Sequence, residues 1–341
     1  MKLSRRERLL LLLLLAVGMY ALGGAAARFD EPYSGYEGRS AIVVIPPGAA
    51  PASVAAVLRD SGVIRSALHF RILARWRGVS SKLRAGEYLF DAPLRASEVL
   101  DRVVRGDVLL HRVTIPEGLS GREIIDRIAR QRLAARADLE QAFHDAASIR
   151  ALDPQARDLE GYLFPETYHF ARGTAASRIF EEMTARFGQV FDAAMRARAA
   201  ELGMTARQVV TLASLIEKET SVPAERPLVS AVFHNRLRAG MLLQCDPTVS
   251  FALASAGKLH GALTTADLAF ASPYNTYVSG GLPPGPIASP GRFSIEAALH
   301  PASARALYFV ADGTGGHHFS ETLEEHARAV ERYRRMVRRG A

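Results

Sequence analysis

A strand-like run, a turn carrying proline and glycine, and a helical run follow one another twice in this chain. The two copies keep register across a separation of about 70 residues. In the first, Ala41-Ile-Val-Val-Ile45 reads as a strand, Pro46-Pro-Gly48 turns, and Ser53 precedes Val54, Val57 and Leu58 at helical spacing. In the second, His111-Arg-Val-Thr-Ile115 leads into Pro116-Glu-Gly118, Ser120, and then Ile124, Ile125 and Ile128. Ile45, Pro46 and Gly48 match Ile115, Pro116 and Gly118, while Val54 and Leu58 match Ile124 and Ile128. This is one supersecondary unit used twice, not a solenoid, and it makes the fold class α+β. Between the copies the pattern predicts a helix over 66–75, a strand over 86–90 and a short helix over 96–104.

The later chain is expected to be mainly helical. A helix with a loose end is predicted over 139–157, and helices dominate from Glu160 onward. Long loops interrupt them at 245–249 and 272–292. The second loop holds Gly280-Gly-Leu-Pro-Pro-Gly-Pro286, stiff enough to form a binding wall. Residues 306–310 read as a strand and 321–339 as a basic amphipathic helix.

At 341 residues, with 48% hydrophobic and 23% charged residues, the chain is long enough for two or three globular units. A net charge of +8 admits nucleic acid, anionic lipid or an acidic polymer as partner. The N-terminus decides among them. Lys2, Arg5, Arg6 and Arg8 precede an uncharged run over 9–27. At ~1.5 Å per residue that run reaches ~28 Å, which predicts a transmembrane helix with residues 1–8 in the cytoplasm and the rest outside. The competing expectation is a cleaved signal peptide ending at Ala25-Ala-Ala27. Either way nucleic acid is not the partner. The expected location is the cell inner membrane, single-pass, and the basic charge suits a membrane surface or wall polymer. Residues 28–40 read as a linker. Cys245 is the only cysteine, so an internal disulfide and a cysteine zinc site are excluded, and a buried inert thiol is expected.

The chemistry centres on residues 206–220. On a helical wheel started at Val209, Leu212, Ala213, Leu215 and Ile216 form an apolar arc, and Glu219 falls inside it at roughly 280°. Glu217 lies near the arc's edge, read as solvated, and Lys218 faces away. Pro223 ends the run. A carboxyl in an apolar setting at a helix C-terminus has its pKa raised by burial and by the negative helix end, as a general acid requires. The alternative is an ion pair of Glu219 with Arg226 or Arg236, and the pattern leaves both open. Asn235, Gln244, Asp246, Tyr274 and Asn275 supply hydrogen-bonding groups suited to sugar hydroxyls and acetamides. Tyr162, Phe164, Tyr168 and Tyr277 supply flat faces for sugar rings.

Several segments resemble one family. Ala213-Ser-Leu-Ile-Glu-Lys-Glu-Thr220, Glu225-Arg226, Val232-Phe-His-Asn-Arg-Leu-Arg238, Gly240-Met-Leu-Leu-Gln244 and Asp246-Pro-Thr-Val249 are similar to the YceG-like family of endolytic murein transglycosylases. So are Glu160-Gly-Tyr-Leu-Phe-Pro165, Tyr274-Asn-Thr-Tyr277, Gly281-Leu-Pro-Pro-Gly285, Ala311-Asp-Gly313 and Gly315-Gly-His317. Ser250-Phe251 and Ser289 depart from the commoner family pattern. The resemblance implies an N-terminal membrane helix, a LysM-like peptidoglycan-binding region over 41–150 and a catalytic domain over 151–341. It implies Glu219 as catalytic acid, with Gln244, Asp246, Tyr274, Asn275, Asn235 and Tyr277 binding substrate and no cofactor or metal. The implied activity cleaves glycan strands of peptidoglycan between N-acetylmuramic acid and N-acetylglucosamine, leaving 1,6-anhydro ends and terminating strand growth, with peptidoglycan synthases as possible neighbours. Three other readings stand beside it. One is a water-using muramidase with Glu217 or Asp246 as second carboxylate. Another is a non-catalytic wall-binding scaffold. The third is a zinc hydrolase built on His300, His317 and His318.

Overall fold

The computed structural model describes residues 10, 12–14, 16–19 and 31–340. These divide into two compact units. The first comprises Met1–His111 with His169–Gly173, and the second Arg112–Tyr168 with Thr174–Ala341.

In the first unit, strands β1 (Ala41–Ile45) and β2 (Gly86–Phe90) pair antiparallel, with Ala41 opposite Phe90 and Ile45 opposite Gly86. Alternation puts Val43 and Ile45 inside and leaves Ile42 and Val44 exposed. Helices α1 (Pro51–Asp60), α2 (Ala67–Trp76) and α3 (Ala96–Arg105) close the core with Leu58, Phe70, Leu100 and Val103 around Tyr88 and Phe90. Residues 31–40, expected as linker, are tied in through a backbone bridge between Tyr33 and Leu94.

Strand β3 (Leu110–Thr114) pairs with β4 (Thr167–Ala171), and helix α4 (Gly121–Arg130) follows β3 in the second unit. Both strand–turn–helix copies are formed. Gly48 and Gly118 both turn the chain at positive φ, +72° and +78°, a region that favours glycine. Ile45 and Ile115 are buried alike, as are Val54 and Ile124. The helix expected over 139–157 is shorter: α5 (Arg136–Phe143) ends early, a 3₁₀ turn follows at Ala146–Ile149, and β4 was not foreseen.

The rest of the second unit is helical: α6 (Ala176–Val190), α7 (Ala193–Glu201), α8 (Ala206–Glu219), α9 (Arg226–Arg238), α10 (Asp246–Ser255) and α11 (Arg292–Leu299). An antiparallel hairpin of β5 (Tyr308–Ala311) and β6 (His317–Ser320) precedes α12 (Leu323–Gly340). Helix α8 is central and packs against α7, α9, α10 and α11. Every residue from Val209 to Ile216 is buried.

The N-terminal expectation needs correction. Among the described residues no helix is long and apolar enough to cross a membrane. Helical backbone is described at 10, 12–14 and 16–19. The transmembrane helix over 9–27 is therefore removed from the fold class, which is α+β with small two-stranded sheets. The single-pass inner-membrane location that rested on it goes with it. The remainder of that run, residues 1–8 and the cleavage-like Ala25-Ala-Ala27 lie outside the described residues.

Candidate active site

Helix α8 is built to end at Glu219. Thr205 and Gln208 form a reciprocal capping box at its start, with bonds of 3.2 and 2.8 Å. Thr220 leaves the helix in an extended conformation, so Glu219 occupies the last helical position. Burial pushes its carboxyl up to about 7. Asp246 raises it further, while a hydrogen bond from the Cys245 thiol and the charges of His317 and Arg236 act in the opposite direction. Among the described residues Glu219 forms no ion pair within 4 Å. Arg226, one of the two partners proposed for it, bonds instead to Glu217 at 3.2 Å and Glu117 at 3.5 Å.

Glu217 therefore differs from its solvated reading. Its side chain is buried and accepts from Arg226 and from the Gly291 backbone N–H at 2.9 Å. Two residues from Glu219 on one helix, it points roughly 200° away. Lys218 donates to the Gly118 carbonyl at 3.1 Å.

A short loop brings the next groups to Glu219. Gln244 is exposed and adopts φ +52°, an uncommon conformation for a side-chain-bearing residue. The loop is clamped by two buried threonines. The Cys245 N–H donates to Thr276 Oγ1 at 2.9 Å, and Thr248 Oγ1 donates to the Cys245 carbonyl at 2.6 Å. That spends the Thr248 proton, so Thr276 Oγ1 donates the 2.9 Å bond between the two hydroxyls. Gln244 N–H adds a bond to the Thr276 carbonyl at 3.1 Å. Cys245 is buried, as expected of an inert thiol, but its neighbour is the Glu219 carboxyl. Burial first, and then that carboxyl, push the thiol's pKa up.

Tyr277 donates its hydroxyl to Asp246 Oδ1 at 2.5 Å; burial and this bond raise the phenol. Arg236 is buried behind the loop. It donates to the carbonyls of Leu307 at 2.7 Å and Leu243 at 2.9 Å, and weakly to Gln244 Oε1 at 3.4 Å. Its guanidinium lies 5.2 Å from the Tyr308 ring centre.

Of the residues expected at the site, Glu219, Gln244, Asp246 and Tyr277 are thus gathered together. A cleft of about 700 Å³ runs beside Asp246, bounded by Lys218, Phe251 and Ile287. Tyr274 packs on Phe251, ring centres 5.0 Å apart, and opens onto a neighbouring recess of about 680 Å³ with Tyr162, Asp158 and Arg207. Asn275 and Asn235 serve the backbone. The buried Asn275 amide donates to the Leu268 and Phe270 carbonyls at 3.0 and 2.8 Å. Asn235 donates to those of Ala304 and Ala306 at 2.9 and 2.8 Å.

Sequence reasoning did not anticipate the surroundings of three groups. Cys245 lay at a position with no pattern. Glu160 is pushed up to about 8 by burial, partly offset by backbone bonds, one of them from the Gly121 N–H at 3.0 Å. The third is the pair formed by Glu225 and His317, 2.7 Å apart. The histidines proposed for zinc separate. His317 is held by Glu225, His318 lies 3.3 Å from Arg332, and His300 lines a different cavity beside Phe293.

One half-buried carboxyl with a raised pKa, set next to the Asp246 that lines an open cleft, is the arrangement of an acid–base catalyst. The sequence pattern of the YceG-like family matches residues 43–332, and the chain belongs to that family. It is 33% identical over 308 residues to an endolytic murein transglycosylase of Bacillus subtilis, spanning 85% of this chain and 83% of that protein. It is 29% identical to the endolytic murein transglycosylase of Streptococcus pneumoniae R6, spanning 84% of this chain and 57% of that longer protein. A solved yceG-like protein from Listeria monocytogenes superposes with a TM-score of 0.58 at 34% identity, covering 85% of this chain and 98% of that one.

Proposed function

We propose that this protein is an endolytic murein transglycosylase whose acid and base are the same group, Glu219. The observation that carries the reading is a carboxyl at the end of α8 that keeps its proton to about pH 7 through burial. Family membership and the names of the relatives supply the substrate class, peptidoglycan glycan strands.

Glu219 gives its proton to the glycosidic oxygen between N-acetylmuramic acid and N-acetylglucosamine as the C1–O bond breaks. The resulting carboxylate takes the proton of the muramoyl C6 hydroxyl, whose oxygen closes on C1 of the same sugar. The product is a 1,6-anhydro end, no water is consumed, and Glu219 is again protonated. A nucleophile within the sugar gains from proximity and removes the need for a second carboxylate to activate water. Gln244, Asp246 and Tyr277 hold the sugars nearest the acid, and Tyr274 with Phe251 offers rings along the strand. Asn235 and Asn275 contribute through the backbone that they fix. The first unit supplies wall binding, and cutting within strands places the enzyme beside the synthases that extend them.

Purified protein incubated with uncrosslinked glycan strands should yield 1,6-anhydromuramoyl ends by mass spectrometry, and Glu219→Gln should yield none. Reducing ends carrying one added water would replace this reading with a water-using muramidase, Asp246 being the nearest second carboxylate. Wild-type cleavage by Glu219→Gln would remove Glu219 from the mechanism.

A further inference from the structure

The Asp312-Gly-Thr-Gly-Gly316 loop of the β5–β6 hairpin is constructed to deliver one residue, His317. Asp312 Oδ1 gathers the Thr314 N–H at 2.7 Å, the Thr314 hydroxyl at 2.8 Å and the Gly316 N–H at 3.2 Å. The loop is thereby folded tightly enough to present His317 to Glu225 twice. The His317 backbone N–H donates to Glu225 Oε1 at 2.7 Å, and ring Nδ1 lies 2.7 Å from Oε2. With a carboxylate as acceptor, Nδ1 carries the hydrogen. Gly316 is required here for space: a Cβ at that position would sit 2.7 Å from Glu225 Oε1. The imidazole is gripped edge-on by Phe309, ring centres 5.4 Å apart, and Phe309 packs in turn on Phe233 of α9.

Glu225 also reaches the residue after the catalytic acid. Thr220 Oγ1 donates to Glu225 Oε2 at 3.1 Å and accepts the Val222 N–H at 3.0 Å. Thr220 is the buried C-cap of α8. One carboxylate thus joins the hairpin to the point where the helix stops and Glu219 projects. Bonds to His317 and Thr220 outweigh the effect of burial and hold Glu225 below its ordinary carboxylate range.

We propose that Glu225 and His317 are positioning residues for Glu219. They lock the helix end that carries the acid, and they set an imidazole near its carboxyl. This deepens the transglycosylase reading and rests on it. The groups facing Glu219 are Cys245 from the loop before α10, Asp246 from the first turn of α10, Arg236 from α9, Tyr277 from the long loop and His317 from β6. Asp312 faces His317 from the hairpin loop. Of these, His317 is the one that Glu225 and the Asp312 loop hold in place.

The test is the pH dependence of kcat and KM for His317→Gln and Glu225→Gln on purified glycan strands, with wild type and Glu219→Gln alongside and thermal unfolding of each. His317→Gln keeps an amide donor for Glu225 but removes the ring charge that lowers the Glu219 pKa. Its alkaline limb should therefore move to higher pH, with kcat lower by about tenfold and KM within about twofold of wild type. Glu225→Gln should lower kcat likewise, because a neutral amide cannot hold both His317 donors and the Thr220 hydroxyl. Variants that unfold near the wild-type temperature with unchanged kcat and unchanged limbs overturn the inference and leave the activity standing. If His317→Gln unfolds, Gly316→Ala reads the same contact, and unaltered kinetics there also count against the pair. An inactive wild type, or an active Glu219→Gln, overturns the transglycosylase reading as well.

Discussion

The buried thiol of Cys245 donates a hydrogen bond to the carboxyl of Glu219, and the Thr248–Thr276 clamp fixes the backbone of the residue that carries the thiol. A donor to a carboxylate favours its charged form, so this bond works against burial and keeps the Glu219 pKa from rising further. Cys245→Ala should move the alkaline limb of kcat/KM to higher pH, whereas Cys245→Ser, which still donates, should leave it near its original place. An unmoved or lowered limb in the alanine variant would show that the thiol does not touch the acid's proton equilibrium.

The same carboxyl makes stability depend on pH in a defined direction. Its pKa is raised from 4.5 in the unfolded chain to about 7 in the folded one. The folded state therefore binds the extra proton, and this group's contribution to stability is fully present below the lower value and is lost as pH rises through the upper one. At ~1.4 kcal/mol per pH unit the full loss has a ceiling of about 3 kcal/mol. Glu219→Gln removes the titration, so urea unfolding should show the variant gaining on wild type between pH 4.5 and 8. Parallel pH profiles for the two proteins would contradict the burial argument.

How much of this was legible in sequence depends on whether a group's neighbours are local. Glu219 was found because the period of one helix selects it from Glu217 and Lys218. The wheel could not tell that α8 is enclosed on every side, which is why Glu217 read as solvated and is in fact buried against Arg226. The stiffness of the 272–292 loop was written in its prolines, whereas the use of Asn275 to hold the Leu268 and Phe270 carbonyls was not. Cys245 and His317 meet Glu219 only through tertiary packing, so no spacing rule could connect them. The N-terminal run was read from its lack of charge alone, and among the described residues no helix is long and apolar enough to cross a membrane.

The Glu217–Arg226 pair is a structural link whose removal separates the two acids of α8. Both side chains are buried, so cutting either one strands most of a buried charge, Arg226 keeping only its 3.5 Å contact with the exposed Glu117, at a cost of about 3–5 kcal/mol. Glu217→Gln and Arg226→Met should each lower stability by that order. Their combination should cost clearly less than the sum, because neither charge is then stranded. Glycan cleavage by the double variant should persist below its unfolding temperature, since Glu219 points away. Loss of cleavage in a folded double variant would make Glu217 a second catalytic carboxyl and favour the hydrolase.

Gln244 occupies a left-handed conformation, φ +52°, that costs a side-chain-bearing residue about 1 kcal/mol and costs glycine nothing. Its backbone is fixed there by the bond to the Thr276 carbonyl, while its side chain makes only the 3.4 Å contact with Arg236 and is otherwise exposed. A residue that is strained, exposed and weakly bonded contributes little to stability. Gln244→Gly should leave the unfolding temperature unchanged or slightly raised, because relief of strain offsets the greater freedom of the unfolded chain. On the proposed role of Gln244 in holding the sugar, it should also lower kcat/KM on glycan strands, chiefly through KM. Gln244→Ala should show the same kinetic loss without the relief. A glycine variant as active as wild type would take Gln244 out of the substrate contact and leave its strain to be explained by the path of the loop alone.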